Sequence, residues 1–136
     1  MPLDDELSDL LIISLEQAVA APYCGLLLAS AGARVIKVER LEGDFARSYD
    51  SSVNGKSAIF AWLNRGKESI SLNLKNKADK KIFKNMLKKA DVFLSNLTPG
   101  SLEKLRLDYQ QIKTLNPRLI FCEITGYGNS KLAKSK

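Results

Sequence analysis

A chain of 136 residues is long enough for one compact domain and too short for two ordinary ones. Its 45% hydrophobic and 26% charged residues fit a globular protein, and no apolar run nears the roughly 20 residues needed to cross a bilayer. With no histidine and only two distant cysteines, Cys24 and Cys122, the usual structural zinc sites are excluded and the thiols are expected as reduced core residues. The acidic opening, Asp4, Asp5, Glu6 and Asp9, has the wrong sign for a secretory or transit segment, which predicts a cytoplasmic protein. The net charge of +6 is concentrated between positions 75 and 89, where seven lysines face one aspartate. A solvated helix face accounts for them more simply than a nucleic-acid or lipid surface, so neither partner is expected.

The apolar run at 10–15 predicts a strand covered on both faces of a parallel sheet. Pro22 in a first turn and Gly32 in a left-handed cap frame a helix over 22–31, and a second strand follows at Val35, Ile36, Lys37 and Val38. Strand, helix and strand in this span predict a right-handed βαβ unit. Residues 41–55 are polar and predict a long loop. A short helix over 57–63 precedes a strand over 69–74. An amphipathic helix then carries Ala78, Ile82, Phe83, Met86, Leu87 and Ala90 on one stripe with lysines opposite. A strand at 92–94, short helices from Ser101 and over 109–115, and a fifth strand over 119–124 complete an alternating pattern. The fold class is therefore α/β, a Rossmann-like doubly wound and mainly parallel sheet with helices on both faces, over residues 1–128. Residues 129–136 are expected as a polar, disordered tail.

Ligands of such a sheet bind beyond the carboxyl ends of its strands. A dinucleotide fingerprint fails there, because alanines and Pro22 stand where GxGxxG belongs. A Walker A loop fails too, since Gly66 and Lys67 are followed by Glu68. Arg40, at the end of the second strand, admits two readings: a solvated partner of Glu39, or a guanidinium placed to grip an extra phosphate on an adenosine ribose, such as the one coenzyme A carries. For catalysis the residues assemble no nucleophile with a base, so no catalytic residue and no metal ligand is assigned.

The blocks Ser14-Leu15-Glu16-Gln17-Ala18-Val19-Ala20-Ala21-Pro22, Gly32-Ala33-Arg34-Val35-Ile36-Lys37-Val38-Glu39-Arg40 and Gly43-Asp44-Phe45-Ala46-Arg47 resemble the start of the family III CoA-transferases. That family includes formyl-CoA transferase, the carnitine and bile-acid CoA-transferases, and α-methylacyl-CoA racemase. The similarity continues through Trp62-Leu63-Asn64-Arg65-Gly66-Lys67-Glu68-Ser69-Ile70, Ala90-Asp91-Val92, Asn116-Pro117-Arg118-Leu119-Ile120 and Thr125-Gly126-Tyr127-Gly128. The resemblance implies a coenzyme A site, with acyl-CoA as substrate, formed by Val19 and Ala20, by Arg40, by Leu72, Asn73, Leu74 and Lys75, by Asn96, Leu97 and Thr98, and by Lys104. Lys104 stands where relatives carry arginine, which keeps the charge and loses the bidentate fork. Leu97 stands where an aromatic is frequent.

The resemblance further implies an aspartate nucleophile several tens of residues beyond Gly128, so this chain is expected to be a CoA-binding amino-terminal portion that is inactive alone. Asp44, Asp50 and Asp108 do not match that position. The best-matching blocks point to members handling C4 and C5 dicarboxylic acyl-CoAs, with a racemase-type fragment or a non-catalytic interaction module as alternatives. A homodimer or other self-association, or a separate carboxyl-terminal half, is the expected partner, because a shortened sheet leaves apolar surface uncovered.

Overall fold

Short runs of β-branched and apolar residues fit strands covered on both faces, and the computed structural model, which describes residues 5–128, 130 and 131, sets such strands at the centre of its sheet. β1 (Leu11–Leu15) is central, with β2 (Arg34–Glu39) and β3 (Glu68–Ser71) to one side and β4 (Val92–Ser95) and β5 (Ile120–Glu123) to the other. All neighbours pair in parallel, in the order β3-β2-β1-β4-β5. The chain thus winds outward from β1 twice, and the switch point lies between β1 and β4.

Helices cover both faces, as the alternating pattern predicts. On one face α1 (Ala20–Ser30) packs Ala21, Cys24 and Leu28 against Ile12, Val35 and Leu94, with α2 (Ala58–Asn64) beside it. On the other, α3 (Lys77–Lys89), α4 (Ser101–Leu105) and α5 (Tyr109–Leu115) bring Phe83, Leu87, Leu102 and Ile112 onto Ile13, Val38 and Phe93. Side-chain caps set several starts: Asn76 accepts from the Ala78 and Asp79 amides, Ser57 from Phe60, and Asp108 from Gln110 and Gln111. Gly32 ends α1 at a φ of +95°, and a Cβ there would lie 2.8 Å from Asp5 Cα.

Several boundaries differ from the sequence pattern. α1 begins at Ala20 rather than Pro22, which still sits in the first turn where its missing N–H costs nothing. β3 ends at Ser71; Leu72 donates its N–H to Glu39 O, and the Leu72 and Leu74 side chains then turn into the core instead of continuing the ladder. The segment expected as one loop holds a 3-10 turn at Phe45–Ser48 and a Val53–Lys56 bridge. The two cysteines are free and half-buried at the rim of the α1-side core. The tail expected over 129–136 lies outside the described residues except for Ser130 and Lys131.

Candidate functional site

The carboxyl ends of four strands open onto one groove of about 590 Å³. Leu15 to Gln17 after β1, the turn from Val38 to Asp44 after β2, residues 72–75 after β3, and Leu97 with Leu105 line it. Of the residues nominated from the sequence, Arg40, Leu72, Asn73, Leu74, Lys75 and Leu97 therefore share this groove. Val19 and Thr98 stand exposed on the loops beyond β1 and β4, Ala20 is exposed at the start of α1, and Lys104 is exposed on α4; none of the four lines it. Leu72 and Leu74 are buried and belong to the core cluster, whereas Asn73 and Lys75 are exposed. Arg40 is not the partner of Glu39. Its Nε donates to Gly43 O at 2.9 Å and its guanidinium lies 5.4 Å from the Phe45 ring centre, leaving its terminal nitrogens without a partner among the described residues. An arginine held by one bond and a ring face is oriented while keeping donors for an anion.

Asn96 is placed differently. Its Nδ2 donates to Gln17 O at 2.8 Å and its Oδ1 accepts from the Gln17 amide at 2.9 Å, so its side chain spans the gap between the ends of β1 and β4.

From the groove wall at Glu16, Glu39 and Asp44 toward α1 and α2 runs a network that the sequence pattern did not disclose. Lys37, 1% exposed in the middle of β2, donates to Asp44 Oδ2 at 2.7 Å and to Asn64 Oδ1 at 3.0 Å, with Glu16 at 3.7 Å. Lys67 donates to Glu16 Oε1 at 2.5 Å, to Pro22 O at 2.8 Å and to Asn64 at 3.2 Å. Burial pushes the Glu16 carboxyl up, against the pull of Lys67 and Lys37, and burial pushes the Lys67 ammonium down, against Glu16. Next to this pair Arg47 grips Glu39 with two bonds, at 2.9 and 2.8 Å, and stacks 4.0 Å from the Phe60 ring centre. Burial acts to raise Glu39, but bonds from Arg47, the Asp44 amide and Ser69 outweigh it and hold the carboxyl at about 2. The sequence signal was there in outline: Lys37 interrupts an apolar strand, and Glu16 follows one directly.

This network is structural chemistry. Each cation in it has carboxylate partners, and two buried side-chain atoms, Ser14 Oγ and Glu16 Oε2, have no hydrogen-bond partner. Burial also raises the Cys24 thiol, which makes it a poor nucleophile. Among the described residues no group of three or more His, Cys, Asp or Glu could hold a metal ion, and no helix is long and apolar enough to cross a membrane.

Comparison with known proteins gives the groove a context. The family model described as CoA-transferase family III matches residues 7–136. Acetyl-CoA:oxalate CoA-transferase of Acetobacter aceti is 41% identical over 122 residues, covering 89% of this chain and 31% of that protein. Succinyl-CoA:mesaconate CoA-transferase of Haloarcula marismortui is 37% identical over 134 residues, 95% of this chain and 34% of its own. Succinyl-CoA:glutarate CoA-transferase of Homo sapiens is 38% identical over 121 residues, 88% of this chain and 28% of its own. Among solved structures, a CAIB/BAIF family protein from Brucella suis superposes with a TM-score of 0.86 at 37% identity, covering 97% of this chain and 35% of that one. A hypothetical protein from Mycobacterium tuberculosis gives 0.87 at 33% identity, 96% and 36%. The chain spans about a third of the length of the relatives it matches.

Proposed function

We propose, from the premise that this chain belongs to CoA-transferase family III, that it is the coenzyme A-binding portion of an enzyme moving CoA between an acyl-CoA and a carboxylic acid. The observation that carries the reading is the groove at the carboxyl ends of β1 to β4 with Arg40 oriented at its rim. Arg40 would take the phosphate on the adenosine ribose, residues 72–75 and Leu97 would flank the nucleotide, and Val19 and Thr98 on their loops, Ala20 at the start of α1 and Lys104 on α4 would meet it from outside the groove. The Acetobacter, Haloarcula and human relatives are named CoA-transferases, which favours transfer over racemisation, and the names oxalate, mesaconate and glutarate point to a short dicarboxylic acid as acceptor. Since the chain spans about a third of its relatives' length, the covalent step is assigned to polypeptide that the relatives carry beyond the matched third, and the chain alone is expected to bind without transferring.

Exposed rings and aliphatic groups on α1 and α2, among them Tyr23, Leu27, Ile59 and Trp62, fit coverage by that further polypeptide or by a second copy. Light scattering of the purified chain, with and without a carboxyl-terminal relative segment, separates these.

Titration calorimetry with CoA and with 3′-dephospho-CoA tests the site. Replacing Arg40 by alanine should weaken CoA about tenfold, since it removes one exposed charge-assisted contact, and should leave dephospho-CoA nearly unchanged. Equal losses for both ligands, or no binding by the unsubstituted chain, would refute the assignment.

A further inference from the structure

We infer that Asn96 and Asp44 are positioning residues that hold the loop between β1 and α1 in its binding conformation, so that coenzyme affinity depends on the loop they fix. This rests on the CoA reading above and concerns how that site is kept in shape.

The loop needs holding. Ala18 has a φ of +61°, a region that residues with a Cβ avoid, and Val19, which opens α1, makes no side-chain cap. The first turn thus has Pro22 and the Tyr23–Val19 backbone bond but no side-chain cap to fix the residues before it. Two side chains from elsewhere in the chain hold those residues. Asn96, arriving at the end of β4, closes both backbone groups of Gln17, one as donor and one as acceptor. A carboxylate could only accept and a lysine could only donate, so the amide is the side chain that answers this residue's N–H and C=O together. Asp44, arriving after β2, takes the very next amide: its Oδ1 accepts from Ala18 N at 3.1 Å and from Ala46 N at 2.9 Å. Its other oxygen is fixed by the buried Lys37 at 2.7 Å, and its own amide is held by Glu39 Oε2 at 3.0 Å.

Two consecutive residues of a strained loop are thus tied to the ends of β4 and β2 across the switch point of the sheet, where a ligand of this fold lies. Val19 and Ala20 follow at once. Releasing either tie lets Ala18 relax toward ordinary backbone angles, and the ligand must then reorder the loop on binding, which lowers affinity. The buried ions gain a purpose in this arrangement: Lys37 and Glu39 fix Asp44, and Asp44 fixes the loop.

Hydrogen exchange and CoA calorimetry on the whole chain test the inference together. Asn96→Ala should speed exchange of the Gln17 and Ala18 amides about tenfold while leaving Ile13 in β1 and Val35 in β2 unchanged, and should weaken CoA about tenfold. Asn96→Asp, which is less apt to disturb folding, keeps an acceptor for the Gln17 amide and should fall between the two. Asp44→Asn has one acceptor oxygen, so with that oxygen on the Ala18 amide its NH2 faces the Lys37 ammonium, and it should loosen the Ala18 amide and weaken CoA. Loop protection unchanged in Asn96→Ala would overturn the inference. So would a loosened loop with undiminished CoA affinity, or lost affinity with the loop still protected, which would make Asn96 a direct contact. Absence of CoA binding by the unsubstituted chain would sink the CoA reading alone, and the exchange data would still decide whether these side chains set the loop.

Discussion

Replacing Lys67 by methionine puts the buried network to a quantitative test. The Lys67 side chain is 2% exposed, and its ammonium serves Glu16, the Pro22 carbonyl and Asn64. Methionine fills similar space but strands a Glu16 carboxylate that has no access to water. Breaking one partner of such a pair costs about 3–5 kcal/mol, here near the lower end because Lys37 remains 3.7 Å from Glu16. For a domain whose total stability is on the order of 5–15 kcal/mol, that is a large fraction, and at this length it lowers the melting temperature by roughly 10–17 °C. The deficit should also depend on pH. Glu16 already has a raised pKa, and the loss of Lys67 raises it further. The folded state then binds the Glu16 proton more tightly than the unfolded chain. Its contribution is full below the ordinary value of 4.5 and is lost as pH rises through the raised value. The difference between variant and parent in urea midpoints should therefore be smallest near pH 4 and grow toward neutrality, and adding Glu16→Gln to Lys67→Met should recover most of it. A loss below about 1 kcal/mol at pH 7, or a deficit independent of pH, would refute the account of the pair.

Two further outcomes follow from neighbouring geometry. Gly25→Ala should destabilise by about 1–3 kcal/mol in a thermal melt although alanine is the better helix former, because the new Cβ would sit 2.7 Å from Glu16 Oε2 and 3.0 Å from Lys67 Nζ; a stabilised variant would show that the pair yields freely. Glu39, held at about 2, gives stability that is present above 4.5 and lost as pH falls through 2. Arg47→Met should remove about 1–3 kcal/mol of it, discounted because Arg47 is half exposed, and should flatten the acid limb of the urea midpoint, whereas parallel limbs for variant and parent would exclude Glu39 as its source.

Much of the architecture was legible in the chain because it is written in local patterns. Apolar runs at β1, β2 and β4, the lysine-faced stripe of α3, and Gly32 after α1 each declare their element within a few residues. Parallel strands separated by helices then leave few ways to wind. Arg40 was likewise visible, since position at a strand end is a local property. Its actual partner was not: Glu39 turned out to belong to Arg47, which a 3-10 turn inside an expected loop brings back over the strand.

What the tertiary structure alone decided is which distant groups meet. Lys67 reaches Glu16 across 51 positions and Asn96 reaches Gln17 across 79, and neither separation corresponds to any repeat in the pattern. Residue types along the chain record whether a side chain prefers water or the interior. They do not record which other side chain will be opposite when an apolar strand carries a lysine inside. That depends on the β1–β2 register, which sets Ser14 opposite Lys37, and on the crossover that returns β4 to the other side of β1. Hydrophobic periodicity therefore determined the sheet and its covered faces, while the paired charges and the clamped loop above the groove came into being only when the strands were laid side by side.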